Sequence, residues 1–292
     1  MYSAIEKNKR NTILLMIIFV ALIGSLGWAV AFLFEALRIG YVTVGAVLIY
    51  AIIQYFAAGK LAVAMMGAQE IAKADNPRLY RIVENLSITV GMQMPKVYII
   101  NDPAPNAFAT GRDPEHAIVG ATTGLLEIMD DRELTAVMAH EIGHVQNYDI
   151  RVSTIAFGLV SAIGLLADIA LRMVFYGGGN RNNNSNGFVM IYAFVAAIVA
   201  FLIARVVQAA VSRQREYLAD ASGALTTRDP EGLASALAKL GQYGRPMQRE
   251  STSTANLFMS NPLQPGFFTR LFSTHPPLEK RIERLEQSKG SF

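Results

Sequence analysis

The chain has 292 residues, 52% of them apolar, and its mean hydropathy is +0.30, which is too apolar for an ordinary soluble enzyme and predicts membrane spans. The formal charge of +3 is spread along the chain and lies largely at the flanks of apolar segments, so no nucleic-acid partner is predicted. The absence of cysteine excludes disulfides and thiolate metal ligands.

Two uncharged apolar runs near the N-terminus cover residues 13–34 and 39–59. Each is longer than the roughly 20 residues that a helix needs to cross a bilayer, and the short break between them predicts a helical hairpin. Lys7, Lys9 and Arg10 precede the first run, and such positive charge favours the cytoplasmic side. A cleaved signal peptide is the alternative, but this run is long for one and a second span follows at once.

A second apolar pair covers residues 153–174 and 188–211. Asp168 and Arg172 interrupt the third run, and Arg205 interrupts the fourth. These charges either face protein or water, or the pair only dips into the bilayer. The sequence therefore predicts about four membrane helices.

The apolar runs divide the chain into four parts. Residues 1–59 form a cytosolic tail and membrane hairpin, and residues 152–211 form the second hydrophobic pair. Residues 60–151 and 212–292 are two soluble parts, each small for a domain, so we expect them to fold together as one.

The soluble parts carry signals of both helices and strands. Three prolines, two of which follow the capping residues Asn76 and Asp229, precede apolar stripes and predict helices that begin at Pro77, Pro230 and Pro277. Short β-branched runs bounded by Pro, Gly or Asp predict a small sheet from residues 96–100, 107–110 and 116–120. The predicted fold class is helix-rich α+β on a membrane anchor.

A capping-box pattern, Asp130 with Glu133, begins a segment without Gly or Pro that runs through Glu141 and predicts one helix. His140 and His144 are four residues apart, so their imidazoles share a face and can bind one tetrahedral zinc. Glu141 lies beside the first histidine, where its carboxylate can accept a proton from water and pass it to the departing amine.

A chance His-Glu-x-x-His string is the alternative to a zinc site. Two of the chain's four histidines lie in this string, which favours the site. The small Gly143 is expected to leave room beside the metal. Catalytic zinc usually takes three protein ligands, and His116 and His275 are candidates for the third.

Glu216 is a better candidate for the third ligand. It lies four residues before Asp220 on a predicted helix, so Glu216 can bind the metal while Asp220 accepts a hydrogen bond from a histidine N–H. The alternative is an ordinary charged helix face, in which Arg213 and Arg215 pair with these carboxylates.

Four motifs together closely resemble the HtpX family of bacterial membrane metalloproteases: NAFATG, HEIGH, RQREYLAD and STHPPLEKRIERL, in that order. HtpX is a branch of the larger group that includes the CAAX-prenyl-processing endopeptidases. The resemblance extends over nearly the whole chain. It implies a zincin-like protease domain with one Zn²⁺ per chain, Glu216 as third ligand and Asp220 in support.

The resemblance also implies a setting and a set of partners. It implies a multi-pass protein of the bacterial cell membrane whose catalytic domain faces the cytoplasm. The expected substrates are misfolded or damaged membrane proteins, cleaved in a stress response.

Three weaker roles complete the expectations. The resemblance suggests an edge strand along which an extended substrate lies, formed by Asn106, Ala107, Phe108 and Ala109; a purely structural strand is the alternative. His275 either stabilises the oxyanion or is a turn residue before two prolines. Arg213 is expected to orient the active-site helices by pairing with a carboxylate, whereas His116 is expected to be structural.

Two rival functions remain on the sequence alone. A prenyl-protein peptidase would need a longer membrane part than this chain has. A non-catalytic scaffold with a structural zinc would need the two histidines but not Glu141, which argues against it.

Overall fold

The computed structural model describes residues 2–33, 37–176, 213–249, 253–260 and 276–288. The predicted fourth apolar run, residues 188–211, lies outside the described residues, and so does His275. Within the described parts, the chain forms a membrane-type hairpin, a third long helix and an α+β domain.

The predicted N-terminal hairpin is present as helices α1 (Tyr2–Leu33) and α2 (Leu37–Met66). Their ring contacts pair Phe19 with Tyr50 and Trp28 with Tyr41, so the helices are antiparallel. Helix α1 begins well before the apolar run because the charged residues that precede the run are also good helix formers.

Both hairpin helices contain a segment long and apolar enough to cross a membrane, by length and composition only: Ile5–Ser25 and Gly40–Met66. Only 28% and 22% of these segments are buried inside the protein. Large apolar side chains such as Ile17 and Val42 therefore face outward, where lipid contact would remove them from water.

The predicted third apolar run is helical, within α6 (Asp149–Tyr176). The Tyr50 hydroxyl of α2 donates a hydrogen bond to the Gly158 carbonyl of α6 at 2.9 Å. The first turns of α6 share an apolar cluster with the hairpin, formed by Leu15, Phe19, Val47, Val152, Ile155 and Leu159. This packing fixes the start of α6 against the two hairpin helices.

A four-stranded sheet forms from β1 (Ala68–Glu70), β2 (Lys96–Ile100), β3 (Ala107–Gly111) and β4 (Ala117–Thr122), in the order β1-β2-β4-β3. β2 and β4 are parallel, and the other pairs are antiparallel. The three predicted strands are present, and β1 is an addition.

His116 does not begin a strand as the predicted run 116–120 implied. It ends a short 3-10 turn, Pro114–His116, in which the Asp113 side chain accepts a hydrogen bond from the His116 backbone N–H. The His116 ring is half exposed and lies 2.6 Å from Asp113. It is therefore a structural turn residue, away from His140 and His144.

The remaining helices of the domain are α3 (Pro77–Thr89), α4 (Thr123–Ile128), α5 (Asp131–Gln146), α7 (Arg213–Thr227), α8 (Pro230–Tyr243) and α9 (Leu278–Gln287). Asn76, Asp130 and Asp229 cap α3, α5 and α8 by accepting backbone N–H bonds, as their sequence positions predicted. Helix α5 is buried along most of its length in one apolar core with the sheet, α3, α8 and α9. Its side chains are therefore held rigidly.

Candidate metal centre

The start of α5 is fixed by the predicted capping box. Asp130 accepts a hydrogen bond from the Glu133 backbone N–H at 2.8 Å, and Glu133 accepts one from the Asp130 N–H at 3.0 Å. The Glu133 carboxylate also pairs with Lys239 of α8 at 2.6 Å. The helix that carries His140, Glu141 and His144 is thus anchored at its first turn.

Three side chains converge on one point: His140 and His144 from α5 and Glu216 from α7. The two Nε2 atoms are 3.1 Å apart. Glu216 Oε1 lies 3.5 Å from His144 Nε2, and Glu216 Oε2 lies 3.8 Å from His140 Nε2. Tetrahedral zinc with bonds of about 2.0–2.1 Å holds its ligand atoms about 3.3 Å apart, so this donor set fits such an ion.

Helix α7 approaches α5 closely because two glycines leave no side chain between them. A Cβ on Gly143 would lie 3.4 Å from the Ala219 carbonyl oxygen, and a Cβ on Gly223 would lie 2.9 Å from the His140 backbone nitrogen. Gly143 therefore packs against α7, which corrects the expectation that it leaves room beside the metal.

We expect Gly223→Ala to destabilise the protein by roughly 1–3 kcal/mol, because the added methyl group pushes α7 away from α5. Alanine otherwise favours a helix over glycine by about 1 kcal/mol. Gly241→Ala is the matched control in α8, since its Cβ would meet only Leu278 at 3.6 Å. Denaturant unfolding should show a lower free energy of unfolding than the wild type for Gly223→Ala and a higher one for Gly241→Ala. Equal shifts in the two variants would contradict the close contact between α5 and α7.

Each histidine is oriented by a carboxylate on its other ring nitrogen. Asp220 Oδ1 lies 2.9 Å from His140 Nδ1, and Asp149 Oδ2 lies 3.0 Å from His144 Nδ1. When Nδ1–H donates to the carboxylate, the Nε2 lone pair points at the metal position. Asp220 is where the sequence placed it, whereas Asp149 was not singled out.

Arg281 of α9 completes the charge balance around these carboxylates. It is fully buried, and its Nη2 and Nε atoms bind the two oxygens of Asp220 at 2.6 and 2.9 Å. Its Nη1 atom lies 3.6 Å from Glu216 Oε2. Burial opposes ionisation of Asp220, yet Arg281 and the His140 hydrogen bond lower the Asp220 pKa.

Arg213, the predicted orienting residue, is the first residue of α7, and its side chain lies outside what the structure describes. Its role stays a prediction. Within the described residues, Arg281 is the cation bound to Asp220 by both oxygens.

Glu141 points into a cavity that His144, Glu216 and residues 256–259 also line. The side chain is buried, and its Oε1 atom has no hydrogen-bond partner among the described residues. Burial raises the pKa of Glu141 to about 7. A carboxylate with this pKa can accept and return a proton near neutral pH.

The pKa of His144 predicts that metal affinity depends on pH. Burial lowers this pKa, but the Asp149 hydrogen bond and the charges of Glu216, Asp149 and Glu141 raise it to about 9. In the metal-free protein His144 is therefore protonated at neutral pH, and metal must displace that proton. Competition with a chromophoric chelator should show affinity that rises from pH 6 to pH 9; constant affinity would contradict this charge state.

The predicted substrate strand corresponds to β3, with Asn106 just before it. Phe108 pairs in antiparallel fashion with Phe258, and the Met259 N–H donates to the Ala107 carbonyl at 2.9 Å. The Asn106 amide binds the backbone of Ser260 through both its atoms. The outer edge of β3 is thus covered here by the chain's own residues 258–260.

The model of peptidase family M48 matches residues 73–289. The chain is 56% identical to a "Protease HtpX homolog" of Tropheryma whipplei (strain Twist), covering 100% of both chains. It is 44% identical to one of Ligilactobacillus salivarius (strain UCC118), covering 98% of this chain and 99% of that protein. The crystal structure of S. mikatae Ste24p aligns with a TM-score of 0.49 and 18% identity, covering 93% of this chain and 62% of that one.

Proposed function

As a member of peptidase family M48, and within it of the HtpX proteases, the chain is a membrane metalloprotease, and we propose that its metal is zinc, one ion per chain. The observation that carries the proposal is the convergence of His140, His144 and Glu216 within 4.8 Å. Two imidazoles and one carboxylate are a common ligand set of catalytic zinc, which leaves a fourth position open.

We assign the proton transfers of peptide hydrolysis to Glu141. When bound, the zinc supplies a Lewis acid that lowers the pKa of a water molecule and polarises the scissile carbonyl. Glu141 accepts the proton of that water and delivers it to the nitrogen of the leaving amine, so both steps use one carboxylate. Asp220 and Asp149 hold the two histidine rings in the tautomer that faces the metal.

We propose that the substrates are misfolded or damaged membrane proteins, and that the enzyme serves in a stress response. Two helices of membrane-crossing length and composition precede the protease domain, which supports a position at a membrane surface. The basic start of α1 lies beside the metal centre, because Lys9 stacks on Tyr148 at 4.6 Å next to α5. If positive charge marks the cytoplasmic side, the catalytic domain faces the cytoplasm of a multi-pass protein.

We further propose that residues 60–151 and 212–292 form one protease domain. Helices α5 and α7, from the two parts, share the metal centre, and Arg281 of the second part binds Asp220 beside His140 of the first. A substrate main chain would bind along β3, through residues 106–109. The stabilisation of the oxyanion by His275 stays a prediction.

The decisive experiment removes and restores the metal in the detergent-purified full chain. A chelator should abolish cleavage of an unfolded membrane protein, and stoichiometric Zn²⁺ should restore it whereas Mg²⁺ should not, since Mg²⁺ prefers six oxygen ligands. A stably folded soluble protein is the control substrate and should stay intact. Cleavage that survives metal removal would contradict the mechanism, and equal cleavage of both substrates would contradict the substrate class.

A further inference from the structure

The N-terminal helix reaches the metal centre through one buried side chain. Asn8, on the second turn of α1, is 4% exposed. Its amide nitrogen donates to Asp149 Oδ1 at 2.7 Å and to the Asn147 carbonyl at 2.8 Å. Asn147 follows the last residue of α5 and Asp149 is the first residue of α6, so both acceptors are far along the chain from Asn8.

Asp149 joins this amide to a metal ligand. One oxygen accepts the Asn8 hydrogen bond, while the other lies 3.0 Å from His144 Nδ1. Arg215 lies 3.7 Å from the oxygen that Asn8 binds, within ion-pair distance but without a hydrogen bond to it. Without the amide donor, Asp149 is free to turn toward Arg215 and away from His144.

We propose that Asn8 is a positioning residue of the metal centre, acting through Asp149 on His144. Asn8 fixes the rotamer of Asp149 by binding one of its oxygens, and this holds the other oxygen against the histidine ring. A carboxylate that orients a ligating histidine, as Asp149 orients His144, typically contributes 10- to 100-fold to metal affinity, and this is the contribution that loss of Asn8 would put at risk. The membrane hairpin is then part of the catalytic apparatus as well as an anchor.

The test measures zinc affinity of the full chain in detergent by competition with a chromophoric chelator. We expect Asn8→Leu, which keeps the branched shape of the side chain but removes the donor, to bind zinc 10- to 100-fold more weakly. Thr12→Val is the matched control, because Thr12 is buried one turn later in α1 and its hydroxyl donates to the Asn8 carbonyl, away from Asp149. The control should stay within about twofold of the wild type.

Unchanged zinc affinity in folded Asn8→Leu would overturn the proposal. If that variant does not fold, Asn8→Ser carries the test, because serine is polar but too short to reach Asp149. Wild-type affinity in Asn8→Ser would overturn the proposal equally. A purely structural role would lower the unfolding midpoint without changing zinc affinity.

A second, independent observation concerns the segment 254–260, which we call the strap. It forms one wall of the cavity that holds Glu141, and Asn256 donates to the Ser153 carbonyl of α6 at 3.1 Å. Phe258 is buried against Phe108 with ring centroids 6.0 Å apart. The strap lies antiparallel on the edge of β3, as an extended peptide would.

We infer that the strap is an autoinhibitory contact, an inference that rests on the proposed function. It takes the main-chain partners of β3 that a substrate would need, such as the Ala107 carbonyl. Substrate and strap therefore exclude each other, and cleavage requires that the strap leave the edge of β3.

A disulfide across the strap tests this inference, because the chain has no other cysteine. Asn106 and Ser260 are opposite each other in the register set by Phe108 and Phe258. The oxidised double variant, Asn106→Cys with Ser260→Cys, should cleave at least tenfold more slowly than the same double variant after reduction and desalting into zinc, at equal zinc content. The two single variants, treated identically, are the controls.

Different outcomes would overturn the strap inference and the proposed function. Equal cleavage by the oxidised and reduced double variant, with active wild type, would overturn the strap inference and leave the proposed function intact. Absence of cleavage by the zinc-loaded wild type would instead overturn the proposed function.

Discussion

Replacing Glu141 with glutamine is expected to lower the rate of peptide hydrolysis by roughly 10²- to 10⁴-fold while zinc binding stays intact. Glutamine has the shape of glutamate but cannot accept the proton of the attacking water. Glu141 is not one of the three converging ligand side chains, so the metal should be retained. The measurement is kcat on an unfolded membrane-protein substrate, with zinc content by elemental analysis.

The metal-free form of the same variant provides a control for folding. Burial raises the Glu141 pKa from 4.5 to about 7, so the folded state disfavours the charged carboxylate. This cost is absent below pH 4.5, grows as the pH rises and is complete above pH 7. Glu141→Gln removes this cost, so the metal-free variant should unfold at a higher temperature than the wild type at pH 8.

In the cleavage assay with zinc bound, a rate for Glu141→Gln equal to that of the wild type would contradict the role of Glu141.

Replacing Arg281 with methionine is expected to cost about 3–5 kcal/mol of stability, because it leaves Asp220 buried without its bidentate partner. Zinc binding should weaken as well, since Asp220 orients His140. Arg281→Lys should recover only part of the loss, because one ammonium cannot reproduce the planar fork. Denaturant unfolding and chelator competition measure the two effects.

Arg132→Met is the matched control for this substitution. Arg132 also binds an aspartate, Asp229, with two nitrogens, at 2.5 and 2.6 Å. Its side chain is 56% exposed, and exposed pairs contribute at most about 1 kcal/mol. If Arg281→Met lowers the free energy of unfolding by no more than Arg132→Met does, burial does not increase the contribution of the Arg281–Asp220 pair to stability.

Local signals in the sequence predicted much of the domain. Asn76, Asp130 and Asp229 mark helix starts because their side chains satisfy backbone N–H groups within three residues. The spacing of His140 and His144 is a local signal too, because side chains four residues apart lie on the same face of a helix. Glu216 could be predicted as a ligand only from its i,i+4 spacing to Asp220 and from the family resemblance, because the approach of α7 to α5 is a tertiary contact.

Long-range partners left no such signal. Arg281 and Asp149 are ordinary charged residues by spacing, and their roles come from helices that meet only in the folded domain. Strand β1 is three residues long, too short for alternation to reveal it. His116 was placed in a strand because its apolar neighbours outweighed the capping Asp113.

The metal centre draws on both ends of the chain, with Asn8 near one end and Arg281 near the other. This arrangement has a consequence for biosynthesis, in which domains form as the chain emerges from the ribosome. A nascent chain that already displays His140, Glu141 and His144 still lacks the cation that neutralises Asp220. Arg281 lies in α9, which is synthesised long after the hairpin. The metal centre is therefore expected to be complete only once α9 has been synthesised.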